Sequence, residues 1–177
     1  IARKVIANII ALKMPFISAL HADVIGLGTS IVVMSDIIVA AKTAHLCDPH
    51  VAVGLVAGDG GCLAWPLAMG LQRAKRYLLT GEKISAEMAY NAGLVTDLVE
   101  TADEVLPAAQ KIAAKIARLA PIAVQGTKQA LNSIVQREAA GVFELSLLLE
   151  KISARSNDAA EGARAIMEHR KPVYRGE

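Results

Sequence analysis

The chain has 177 residues, enough for one domain with a real core, and its composition is 54% hydrophobic but only 3% aromatic. An interior built this way is aliphatic and alanine-rich, which suits closely packed helices. With 19 Lys and Arg against 17 Asp and Glu the net charge is +2, which gives no electrostatic case for a nucleic-acid partner.

Residues 1–13 carry Val5, Ile6, Ile9, Ile10 and Leu12 at near-helical spacing, and Pro15 stops the run. Phe16–Leu20 reads as a buried strand. The chain then breaks at Gly26-Leu27-Gly28 and restarts as an almost wholly apolar helix over Thr29–Ser35, a pattern that predicts burial on all sides. Ile37–Ala41 is rich in β-branched residues and predicts a strand, with a further short strand near His45–Cys47. Strand, helix, strand in this order predicts a right-handed crossover in an α/β layer structure.

The glycines of Val53–Gly61 predict a loop, followed by a helix over Cys62–Met69 with Pro66 as an irregularity. A helix over Gln72–Leu79 ends at Thr80-Gly81, Ser85 caps a helix over Ala86–Asn91, and Gly93 terminates it. Leu94–Val99 reads as a strand. Beyond it the chain is helical: Ile112, Ile116 and Leu119 share a face, Pro121 opens another segment, and Leu145, Leu148, Leu149 and Ile152 recur at helical spacing. Thr101 and Glu104 have capping-box spacing, while Pro107 three residues on leaves the start of that helix open. Two regions follow, an α/β part over 1–100 and a helical part over 101–177 that packs on it or on another subunit.

The junction around Gly26-Leu27-Gly28 is the chemically suggestive feature. A strand that turns straight into a helix presents unpaired N–H groups and partial positive charge, suited to a carbonyl oxygen that is gaining negative charge. A tight turn with no ligand fits the glycines equally well. A dinucleotide fingerprint fits poorly, because Ile31 stands where the third glycine belongs.

Cys47 and Cys62 form neither a CxxC pair nor a cluster with His ligands, which argues against a zinc site or a disulfide framework. They fit a reducing compartment, the cytoplasm or an organelle matrix. Apolar runs such as Ile37–Ala41 are too short to span a membrane. The sequence opens inside an element and without Met, so a targeting segment would lie outside it.

Several ordered signatures together resemble the crotonase superfamily, the enoyl-CoA hydratase/isomerase fold, over the C-terminal part of its usual chain. They are Lys13 through Gly28, Ser35–Ala40, Val53-Gly54-Leu55 through Gly60-Gly61, Leu79-Thr80-Gly81, Ile84-Ser85-Ala86, and Gly93-Leu94-Val95. Ser156, Asp158, Glu161-Gly162, Ala165 and Arg170-Lys171-Pro172 complete the series. The resemblance implies a β-β-α spiral core without its N-terminal repeats, followed by a helical trimerisation or lid region. It further implies acyl-CoA thioester substrates of fatty acid metabolism, no cofactor beyond the coenzyme A of the substrate, no metal, and homotrimers or homohexamers. The Leu27 N–H becomes one donor of an oxyanion hole, with Gly26, Gly28 and Gly58 around the substrate, and the other donor belongs to the N-terminal repeats.

The acid and base are where the chain departs from that family. Hydratases of this fold carry glutamates at two positions that here hold Ser30 and His50, the latter in Asp48-Pro49-His50. Three candidates remain. His50 can titrate near neutrality, or it can be a histidine bonded beside a loop. Asp59, in Gly58-Asp59-Gly60-Gly61, sits where some relatives place a working aspartate, in a register shifted by one; it also suits a plain loop or cap. Ser30 lies on the buried helix, where a hydroxyl commonly bonds to the backbone. Lys171 and Tyr174, in the basic His169–Tyr174 segment, match the family terminus and can meet the phosphates of coenzyme A, or simply compensate a helix end. The expected activity is hydration or isomerisation of an enoyl-CoA; the competing expectation is an acyl-CoA-binding or assembly subunit with impaired catalysis.

Overall fold

Residues 2–177 are described by the computed structural model; Ile1, the first residue of the expected opening helix, lies outside them. Helix α1 covers Ala2–Ala11 and buries Ile6 and Ile9, four and seven residues into the segment, as its apolar spacing dictates. Strand β1 is Ile17–Leu20, β2 is Val24–Ile25, and α2 is Leu27–Val33. A strand at Val24–Ile25 is absent from the sequence reading, since two residues are too few to show alternation.

Strand β3 is Ile37–Ala41 and β4 is His45–Cys47, both with the predicted bounds. A short turn of 3-10 helix over His50–Val53 leads through the glycine loop into α3, Gly61–Met69. Then come α4 (Leu71–Thr80), β5 (Ile84–Ser85), α5 (Ala86–Asn91) and β6 (Asp97–Val99). Gly81 closes α4 with φ 64°, and Ser85 Oγ accepts from the Met88 amide to cap α5. The expected strand over Leu94–Val99 is cut in half. Leu94 and Val95 are buried in a turn instead, their amides both bonded to the Ala89 carbonyl at the end of α5.

The strands form two sheets of three. In the first, β3 lies between β1 and β6, all parallel, with Ile17 opposite Ile37 and Val39 opposite Asp97. The parallel β1–β3 pair, with β2 and α2 between them in the chain, has the strand, helix, strand order that the sequence predicts. In the second, β4 pairs parallel with β2 and antiparallel with β5. Between the layers sits the main core, centred on fully buried Trp65 with Leu46, Ile84, Leu78 and Leu94 around it.

Four helices complete the chain: α6 (Ala102–Ala117), α7 (Pro121–Glu138), α8 (Glu144–Ser153) and α9 (Asn157–Met167), with one wide π turn over Ala139–Phe143 joining α7 to α8. Helix α6 starts at Ala102 despite Pro107, because the Glu104 carboxylate accepts from the Thr101 amide at 3.0 Å. Its Val105 and Ala109 pack on Val39 and Ala41 of the first sheet. Helix α7 is anchored by Lys128, whose Nζ donates to Asp36 Oδ2 at 2.7 Å and to the Met14 carbonyl at 2.8 Å. On α8 the inward residues are Ser146 and Leu147, so the apolar stripe Leu145, Leu148, Leu149 and Ile152 faces outward on the single chain. No described helix is long and apolar enough to cross a membrane.

Candidate active site

The site begins at the end of β4, which delivers Asp48. Pro49 turns the chain into the 3-10 segment, and His50 Nδ1 folds back to Asp48 Oδ1 at 2.5 Å. On the other side of the ring, His50 Nε2 lies 3.4 Å from Asp59 Oδ2. The second oxygen of Asp59 accepts from Ser30 Oγ at 2.9 Å. Four side chains from three separate segments thus form one line, Asp48, His50, Asp59, Ser30. Ser30 is fully buried, and the two aspartates are 1% and 4% exposed.

Burial pulls the His50 imidazole toward the neutral form, yet the hydrogen bonds and charges of Asp48 and Asp59 outweigh it and raise its pKa to about 10. The sequence allows a histidine that titrates near neutrality; two flanking carboxylates make it an imidazolium at neutral pH instead. Asp48, His50 and Asp59 offer three ligand atoms within 4.8 Å of one another. Both ring nitrogens face carboxylates, so the cluster reads as an ion-paired network.

The glycine loop exists to let these groups meet. A Cβ on Gly58 would stand 2.7 Å from Glu150 Oε2 and would run into the Ser146 carbonyl of α8. One on Gly60, whose φ is 135°, would stand 3.0 Å from Ser30 Cβ, and one on Gly61 would collide with Asp48 Oδ2. That oxygen is buried without a hydrogen-bond partner among the described residues and lies against the first residue of α3, where a helix N-terminus favours negative charge.

The turn into α2 stands beside this network. Gly26 has φ 61° and ψ −131°, a conformation that disfavours any side chain, and its amide bonds to the Cys47 carbonyl at 2.9 Å. Thr29 Oγ1 lies within 2.9 Å of the Val24 and Cys47 carbonyls, which fixes the first turn of α2 to β2 and β4. Leu27 is the first helical residue, and among the described residues no acceptor takes its amide hydrogen. A Cβ on Gly26 would be 3.9 Å from His50 Cε1, so the imidazole edge flanks the turn. Gly28 packs against Val24, where a Cβ would be 3.0 Å from Cγ2.

Lys171 and Tyr174 lie on the C-terminal tail. Tyr174 Oη donates to the Ala52 carbonyl at 2.7 Å, and the amides of Arg175 and Gly176 donate to the Asp158 carboxylate. Arg170 pairs with Glu161 and Glu168, and its hydrogen bond holds the Glu161 carboxyl down to about 2. The tail therefore straps onto the turn that carries His50, with Lys171 exposed and its charge unpaired among the described residues.

The profile of the enoyl-CoA hydratase/isomerase family matches residues 2–177. The chain belongs to the enoyl-CoA hydratase/isomerase family. It is 31% identical to 2,3-dehydroadipyl-CoA hydratase of Escherichia coli over 170 residues, covering 96% of this chain and 66% of that protein. It is 37% identical to (E)-benzylidenesuccinyl-CoA hydratase of Thauera aromatica over 164 residues, covering 92% and 63%. Among solved structures, an enoyl-CoA hydratase from Mycobacterium avium subsp. paratuberculosis superposes with a TM-score of 0.93 at 26% identity, over 98% of this chain and 70% of that one. An enoyl-CoA hydratase/isomerase from Mycobacterium paratuberculosis does so with 0.85 at 36% identity, over 92% and 64%. The chain thus spans a little under two thirds of the length of the curated relatives it matches.

Within this enoyl-CoA hydratase/isomerase family member, two residues of the site are missing from the sequence reading. Asp48 precedes Pro49-His50 and could have been paired with His50 from the two-residue spacing alone. Glu150 leaves no such signal. It reaches the glycine loop from α8, far along the chain, and burial followed by the charge of Asp59 raises its pKa.

Proposed function

We propose that the protein binds an acyl-CoA thioester and stabilises its enolate at the Leu27 amide, in the hydration or isomerisation of an enoyl-CoA. The observation that carries this reading is the uncommitted Leu27 amide beside a buried acidic network, in a chain of this family. Hydration and double-bond migration both build negative charge on the thioester oxygen, and a fixed N–H aimed at that oxygen lowers the barrier because it is already oriented. Gly26 and Gly28 place no side chain on either side of that donor. Asp59 and the ion-paired His50 form the polar wall on which proton transfer at the adjacent carbons depends. The relatives named for dehydroadipyl-CoA and benzylidenesuccinyl-CoA support an unsaturated acyl-CoA as substrate class. The outward leucine face of α8 supports self-association, as homotrimers or homohexamers.

A second reading, an acyl-CoA-binding or assembly subunit without turnover, draws on the bonding of Ser30, Asp59, His50 and Asp48 Oδ1 to one another. The two readings separate in one assay. The intact protein is mixed with crotonyl-CoA and a panel of longer and branched enoyl-CoAs while the conjugated thioester absorbance is followed, and binding is measured in parallel. Consumption of any member supports the enzyme; binding without consumption supports the second reading.

A further inference from the structure

We propose that Glu150 is the group that carries the transferred proton at this site, an inference that rests on the acyl-CoA reading above. Neither aspartate is free for that work. Asp48 meets His50 through Oδ1 and buries its other oxygen against Gly61 at the start of α3, Asp59 is held between His50 and Ser30, and both are almost fully buried. His50 faces a carboxylate from each ring nitrogen.

Glu150 differs in each respect. Among the described residues no donor reaches its carboxylate, although its main-chain carbonyl accepts from Ser153 Oγ at 2.9 Å. The side chain is partly exposed. Its Oε2 extends over Gly58, 2.7 Å from where a Cβ would stand, and so lies beside the residue that precedes Asp59. Gly58 is thereby explained: any side chain there would displace the Glu150 carboxylate from the site. The charged and titratable groups that face it are Asp48, His50 and Asp59 from the loops, Cys62 at the start of α3, and Lys151 on its own helix. Burial and Asp59 hold its pKa above the ordinary carboxylate range, which brings its protonated and ionised forms closer in free energy near neutrality.

For exchange and double-bond migration the step balances without any further reactant; in hydration a water O–H bond breaks, its oxygen bonds the β-carbon, and its proton replaces on Glu150 the one given to the carbon beside the thioester. The C–H bond beside the thioester breaks, its proton forms an O–H bond on Glu150, and its electron pair enters the enolate whose oxygen faces the Leu27 amide. In the return step that O–H bond breaks and the proton goes to the same carbon or to its vinylogous partner, restoring the carboxylate.

The test uses the intact protein and butyryl-CoA in D2O, with deuterium at the carbon beside the thioester read by mass spectrometry, alongside crotonyl-CoA turnover. Glu150→Gln, which keeps shape and hydrogen-bonding capacity, should slow exchange by about 100-fold or more with KM little changed. It should also remove the acid limb of the pH profile, on which the wild-type rate rises with pH as Glu150 ionises. Glu144→Gln, on the same helix but paired with Arg3 at the surface, should match the wild type. Wild-type exchange in Glu150→Gln, or a loss confined to KM for polar acyl chains, overturns the proposal and leaves the acyl-CoA reading standing. A wild-type protein that neither binds nor exchanges any acyl-CoA overturns both.

Discussion

His50 sits where an imidazole would be expected to lose its proton, and it keeps one because a carboxylate faces each ring nitrogen. The consequence is measurable in the fold itself. A group whose folded pKa is about 10 against an ordinary 6.5 contributes stability that is fully present below pH 6.5 and is lost as pH rises through 10. Denaturant unfolding of the wild type should therefore show stability declining over that window, and His50→Gln should show a flatter profile. At pH 6 the same variant should lose about 3 kcal/mol, because two buried aspartates are left without their cation. Equal pH profiles for the two proteins would contradict the ion-paired network. The sequence names three of the four members of this line, Ser30, His50 and Asp59, because family positions and a glycine-flanked aspartate mark them. It does not reveal that they touch, since their contacts depend on how β4 and α2 are set against one another.

At the scale of elements, the glycines divide into those that packing demands and those it does not. Gly58→Ala forces a methyl into the α8 backbone and the Glu150 carboxylate, and should destabilise by about 1–3 kcal/mol while reducing turnover. Gly126 lies inside α7 with open space around it, so Gly126→Ala should stabilise by about 0.5–1 kcal/mol, read as a rise of about 1–4 °C in Tm. A destabilised Gly126→Ala or an unperturbed Gly58→Ala would contradict this packing. Elements marked by strong local chemistry are legible from sequence: β3 by its β-branched run, α4 by its terminal glycine, α5 by Ser85. Those set by partners are not. The turn at Leu94-Val95 follows from docking on α5, whereas the start of α6 carries a local mark, the Thr101–Glu104 box, which prevails over the signal of Pro107.

For the molecule as a whole, the apolar residues of α8 that recur at helical spacing in the sequence lie outward in the single chain, and on the self-association proposed above a second copy covers them. Leu148→Asp should accordingly shift the protein toward monomer in analytical ultracentrifugation, while an unchanged assembly would place the subunit contact elsewhere. Glu150 is illegible in the sequence because its meeting with Gly58 is made by the packing of α8 on the glycine loop, not by any local pattern. The proposed chemistry turns on the Leu27 amide, which one pair of variants isolates. Leu27 is the first residue of α2, where proline is well tolerated and the preceding Gly26 carries no Cβ to clash, so Leu27→Pro removes the N–H while sparing the helix. The decisive measurement is kcat/KM on the best enoyl-CoA for Leu27→Pro and Leu27→Ala side by side. A loss of about 10²- to 10³-fold in the proline variant, with the alanine variant close to wild type, is the predicted result; equal loss in both, or none in either, would contradict it.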